Sequence, residues 1–268
     1  MTATEPLYTV RSAEAPLPRF SWRRIMQLAQ LYRRPIRTQW LIYAIATPAI
    51  YIGMVFLPYG FKALFGLLLS LMTIAGPLVF CRRDNTLVLL APVTGAERLT
   101  FYLLYSFIVV PGGIELYFLI LQGIATLFSP EANVHTILLN MAMASPAQTS
   151  LTMGQTLMFG TGSVGMTLLV LGAVLYGALF GRNPVKAAIL YGAGAYGAMM
   201  LAVIIYAFVL GFMAARSLPA GAELDPYQTG LQAGNDFVAQ MPMMMVNIGV
   251  TSLGLCAIMC VKMYRRLR

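Results

Sequence analysis

Long apolar runs constrain this chain more than any other feature. They occupy Gln39–Leu57, Ala63–Phe80, Gln155–Phe180, Ala187–Met213 and Met241–Val261, and a further run starts near Leu99 and extends to Phe128. About 20 apolar residues in a helix cross the hydrocarbon core of a bilayer. Backbone in hydrocarbon must satisfy its own hydrogen bonds, so a span is a helix or a strand of a closed barrel. Barrel strands read as roughly ten residues of alternating polarity, whereas these runs are continuous. The sequence therefore predicts an all-α, polytopic membrane protein with six transmembrane helices. Charge agrees: charged residues make up 10% of the chain, against about 25% in soluble domains.

The basic residues set an expected orientation. Of the 18 lysines and arginines, all but Lys62 and Arg216 fall in four places: the first 37 residues, the segment 81–99, the turn Gly181–Lys186 and the tail after Val261. Cytosolic segments near spans carry such an excess. The rule places both termini in the cytosol of a cell membrane, expected to be a bacterial inner membrane, and six spans satisfy that parity. The same clustering accounts for the net charge of +9, so a nucleic-acid partner is not predicted. Segments 128–154 and 214–240 become outer loops; within the first, TILLNMAMA is semi-apolar but too short to cross.

The N-terminal part divides in two. Met1–Pro18 is polar and proline-bearing. In Phe20–Arg37, Trp22, Ile25, Met26, Leu28, Ala29 and Tyr32 recur at helical spacing among five arginines, which predicts a basic amphipathic helix in the membrane interface. Ser21 is its expected N-cap and Pro35 its expected end. No apolar core of a signal peptide is visible in the first 37 residues. The expected domains are thus 1–37, tail and amphipathic helix, and 38–268, the six-span domain.

Several chemistries find no support. No GxxxxGK[ST] phosphate loop occurs, so the chain is not expected to act as an enzyme on nucleotides by itself. Gly160, Gly162 and Gly165 match GxGxxG, but inside an apolar run with no strand before them; close helix approach is the better reading. Gly177 and Gly181 invite the same one. His135 is the only histidine, and Cys81, Cys256 and Cys260 form no disulfide framework or metal set. No bound cofactor or metal is predicted.

Two polar features stand out. Glu115 lies well inside a run, with Gln122 seven residues on and so on about the same face. An intramembrane acid suggests a substrate or proton path; the kink or break expected at Pro111-Gly112-Gly113 also allows a structural, interfacial role, which is the favoured one. The second feature is the polar-rich segment Cys81–Leu99, with Arg82, Arg83, Asp84, Glu97 and Arg98 flanking the apolar LVLLAPV. It has enough apolar surface to dock on a cytosolic partner.

That segment carries a resemblance. RRDNTLVLLAPVTGAERLTFYLL, after an amphipathic helix and within six spans, resembles the type-2 permease of ATP-binding-cassette exporters: Asp84, then Leu87–Leu90, then Pro92-Val93-Thr94, then Glu97-Arg98 opening the next helix. No glutamate precedes Leu87, where the family often has one. The topology match covers the whole chain, the motif about 20 residues. The resemblance implies a coupling helix, 81–99, docked into a separate cytosolic ATPase that binds ATP and Mg. Arg82, Arg83, Asp84, Leu87, Leu89, Leu90, Pro92, Val93, Glu97 and Arg98 would form the contact. It also implies a connecting helix beside that loop, pairing with a second permease subunit, identical or not, and export of a lipid-like, peptide or other hydrophobic cargo. Two other classes stay open: a non-transporting scaffold or accessory subunit, and an ion-coupled carrier.

Overall fold

The computed structural model describes residues 20–56, 59–81, 93–128, 153–216 and 226–267. All regular structure among them is helical. Helix α1 is Trp22–Leu31, α2 Arg33–Phe56 and α3 Tyr59–Ile74. A 3-10 segment, Gly76–Cys81, follows α3. Helix α4, Gly95–Leu103, passes through a π segment, Leu104–Val109, into α5, Val110–Phe128. Helices α6 (Met153–Phe180), α7 (Pro184–Arg216) and α8 (Pro226–Leu267) complete the chain.

Among the described residues, five helical stretches are long and apolar enough to cross a membrane: Arg33–Val55, Gly95–Phe128, Gly160–Phe180, Pro184–Val209 and Gln240–Leu267. These make the chain a multi-pass membrane protein. Of the α6 span 61% is buried, of the α7 span 17%, so α6 is the central post and α7 a peripheral one. Ile189, Leu190, Ile204 and Phe208 of α7 are exposed, which suits lipid contact.

Small residues make the central packing close. A Cβ on Gly162 would lie 2.6 Å from the Met245 carbonyl oxygen of α8, and one on Gly249 2.7 Å from that of Thr161. Gly165 faces Gly249, and Gly177 and Gly181 face Ala187 across the turn into α7, whereas a Cβ on Gly160 would meet nothing. Two glycines of the apparent GxGxxG, Gly162 and Gly165, thus serve helix approach.

The second expected span, Ala63–Phe80, is divided. The apolar helix Leu64–Ile74 gives way at Ala75 to the 3-10 segment, because Pro77 has no N–H for an α-helical bond to Thr73. Pro35 does not end the first helix. The chain turns at Tyr32, and Pro35 sits in the first turn of α2, where its missing N–H is not needed.

Of the kink or break expected at Pro111-Gly112-Gly113, the break is absent, and the helix is continuous there. Its irregularity lies just upstream. Pro111 crowds the carbonyl four residues back, at Phe107, inside the π segment where the turns are already widened. Gly113 has another use: Trp40 of α2 packs where its Cβ would stand. Part of the expected loop 214–240 is also helical, since α7 runs to Arg216 and α8 starts at Pro226, a favourable first-turn position.

Candidate functional site

The described residues that surround the end of the polar segment form an elbow between α1, α2 and α4. Its centre is Glu97, which is wholly buried. Thr94 is the N-cap of α4, and its hydroxyl accepts the Glu97 N–H at 3.3 Å. Glu97 Oε2 in return accepts the Thr94 N–H at 2.9 Å, completing a capping box. The other oxygen, Oε1, reaches another helix. It accepts the backbone N–H of Ser21, the N-cap residue of α1, at 2.7 Å. It also accepts Arg24 Nε at 3.0 Å and lies 2.8 Å from Arg24 Nη2. One carboxylate therefore serves the N-cap backbone of two helices, where the helix dipoles favour an anion, and pairs with an arginine from one of them. The Ser21 hydroxyl makes no cap bond; its backbone N–H is what matters.

Below this clamp the elbow is aromatic. Tyr32, at the turn between α1 and α2, meets Phe80 edge to face at 5.2 Å and Phe101 at 5.6 Å between ring centres. Its hydroxyl lies 3.3 Å from that of Tyr102. Phe80 packs at 4.6 Å in a tilted pair with Tyr102 and edge to face at 5.6 Å with Tyr105. Such pairs add to simple area burial and fix the 3-10 segment against α1 and α4.

Deeper still, a polar relay crosses the bundle. Tyr105 Oη, in the π segment, donates to Gln39 Oε1 at 2.7 Å. Gln39 Nε2 donates to Tyr43 Oη and to the Gly76 carbonyl at 3.3 Å. Tyr43 Oη donates to the Met72 carbonyl at 2.7 Å. Met72 lies in the last turn of α3, where helix carbonyls lose their partners. The side chains of α2 thus cap the end of α3 and hold the π segment to it.

The predicted contact residues separate. Arg82, Arg83, Asp84, Leu87, Leu89, Leu90 and Pro92 lie outside the described residues. Val93 is half-buried and packs on this chain's own core. Glu97 is turned inward, so it is a joint within the chain rather than part of a solvent-facing rim. Arg98 is half-buried in the first turn of α4. Glu115 and Gln122 sit on α5, both half-buried beside the buried row Val110, Ile114 and Phe118. They share a helix face as expected. At about 1.5 Å per residue, Glu115 is some 25 Å along the rod from Glu97, so the structure does not bring the two acids together.

Sequence reasoning missed Arg24, Thr94, Gln39, Tyr43 and Tyr105 as a set. Thr94 and Glu97 carry a readable signal, the T-x-x-E of a capping box. The others carry none, because single polar residues within apolar runs do not announce their partners. Among the described residues no group of histidine, cysteine and acidic side chains is placed to hold a metal. Compared with protein-family models, with curated proteins and with solved structures, the chain gives no match.

Proposed function

We propose that this chain is the permease subunit of an ATP-binding-cassette exporter, with energy entering at the segment 82–92. The observation that carries the reading is the Glu97 clamp. It joins α1 to the first turn of α4, directly after that segment. A push on 82–92 would reach α1 and the α4–α5 rod together, which is what a coupling element requires. The resemblance of the segment supplies the kind of partner, a cytosolic ATPase holding ATP and Mg, and a second permease subunit completes the pore. The cargo class is hydrophobic: lipid-like or peptide.

In this reading α3 and the 3-10 segment together make the sixth crossing. Sixteen residues at about 1.5 Å each and six at about 2 Å each exceed the roughly 30 Å hydrocarbon core. Six crossings put both termini in the cytosol, where the basic residues favour them. Glu97 then acts as a positioning residue, and Leu87, Leu89 and Leu90 as the apolar anchor in the ATPase groove, with Arg82, Arg83 and Asp84 around it.

The experiment is purification of the full-length protein from its own host, with identification of associated proteins and their ATPase rate. An ATPase with a phosphate loop co-purifies, and Leu89→Asp with Leu90→Asp loses it, because a charge in an apolar groove is costly. A well-expressed double variant that keeps the ATPase and its turnover rate would overturn the assignment. A partner set with no ATPase would favour a scaffold role.

A further inference from the structure

We propose that the outer side of the elbow holds one anionic phospholipid, its phosphate on Arg33 and Arg37 and an acyl chain in the groove beneath them. This goes beyond the exporter reading and does not depend on it; it requires only that the chain lie in a bilayer.

The groove has a volume of about 610 Å³, within the range of roughly 300–1,000 Å³ for small-molecule sites. It runs between α1, the start of α2 and the π segment. Its apolar walls include Met26, Ile36, Trp40, Leu104 and Val109. Met26 is 67% and Val109 40% exposed, so the walls are open to whatever surrounds the protein. Arg33 and Arg37 also line it, and no acidic residue does. The two are four residues apart in the first turns of α2, so they stand one above the other on the same face.

The position gives these arginines their partner. They open the span Arg33–Val55, so they lie at headgroup depth and the groove descends from them toward hydrocarbon. Among the described residues the ion pair is Arg24 with Glu97, and Arg33 and Arg37 have no carboxylate within pairing distance. Guanidinium groups match phosphate oxygens in geometry as well as charge. Two cations with no counter-charge among the described residues disfavour a zwitterionic headgroup bearing its own ammonium and favour a net anionic one. The apolar walls take the acyl chain, with Trp40 beside it.

Two measurements test this on the full-length protein. In the first, a Trp22→Phe variant, which leaves Trp40 as the sole tryptophan, is placed in nanodiscs of phosphatidylglycerol and phosphatidylcholine, with brominated chains on one lipid at a time. Brominated phosphatidylglycerol should quench Trp40 at least twofold more than brominated phosphatidylcholine at equal mole fraction. Equal quenching overturns the headgroup preference. In the second, native mass spectrometry follows phosphatidylglycerol retained through detergent washing. Arg33→Gln with Arg37→Gln should reduce retention about tenfold, as should Met26→Glu, which places a negative charge at an exposed wall position that folding does not require. Arg265→Gln with Arg266→Gln, a basic pair outside the groove, should retain the lipid. If that pair reduces retention as much, or if Met26→Glu leaves it unchanged, the lipid is held by general surface charge and the groove site is refuted.

Discussion

Arg24 and Glu97 are 73 residues apart in sequence and 2.8 Å apart in space. The pair is unequal. The glutamate side chain is completely buried and the arginine is 21% exposed. The guanidinium therefore keeps some hydration, while the carboxylate depends on the protein for all of its partners. Removing either member should destabilise the elbow by about 2–3 kcal/mol, the scale of hydrogen bonds to a buried charge. Because both variants break the same contact, Arg24→Gln combined with Glu97→Gln should cost at least about 1 kcal/mol less than the sum of the two. Denaturant titration in detergent micelles measures this cycle, and strict additivity would show that the pair has no energetic role.

A second prediction concerns the proline inside α2. Pro48 has no N–H to give the Ala44 carbonyl. Tyr117 of α5 fills that place: its hydroxyl donates to the Ala44 oxygen at 3.2 Å. A neighbouring helix commonly satisfies a freed carbonyl in a membrane. Tyr117→Phe should cost about 1 kcal/mol in the native chain. In a Pro48→Ala background, where the helix supplies its own donor, the same change should cost almost nothing. The two unfolding midpoints decide, and an equal loss in both backgrounds would refute the role of Tyr117.

The adjacent glycines of α5 should respond oppositely. Gly113→Ala forces the Trp40 ring to move, an overpacking cost of about 1–3 kcal/mol. With Trp22 replaced by Phe, the emission of Trp40 should shift as well. A Cβ on Gly112 meets nothing within 4 Å, so Gly112→Ala should stabilise the helix by up to about 1 kcal/mol. Equal effects of the two changes would argue against the Trp40 packing.

Much of this architecture was readable from residue order. Unbroken apolar runs fixed the helices, because no other element satisfies its backbone in hydrocarbon. Gly162, Gly165, Gly177 and Gly181 within those runs marked where helices touch, whereas Gly160 did not. What could not be read depends on partners distant in the chain. Pro111 is a local signal for the π segment, but the bond from Tyr105 in that segment to Gln39 on another helix is not. The early end of α3 follows from Pro77, but the capping that makes it tolerable comes from Gln39 and Tyr43 on another helix. Glu97 looked like a surface charge in a polar segment. Its burial is decided by Ser21 and Arg24, more than 70 residues earlier.

The glycine seam gives a further comparison. Gly165→Val would push its side chain into the Gly249 backbone, and should separate α6 from α8 and lower the yield of folded protein sharply. Gly160→Val, five residues earlier and facing open space, should leave yield and melting temperature nearly unchanged. Size-exclusion profiles of the two variants give the answer; similar profiles would refute close packing at Gly165.

The double use of the Glu97 carboxylate also orders events in time. Synthesis makes Ser21 first, and the residue that accepts its N–H emerges 76 positions later. Until then α1 has its starting turn open, and both α2 and α3 have been made. A nascent chain arrested before Gly95 would therefore hold α1 only from its Tyr32 end, against Phe80, and leave its first turn accessible to protease. One arrested after α4 and α5 have entered the membrane would protect it. The start of α1 is thus a late joint of the N-terminal half, secured during biosynthesis when the Glu97 carboxylate arrives.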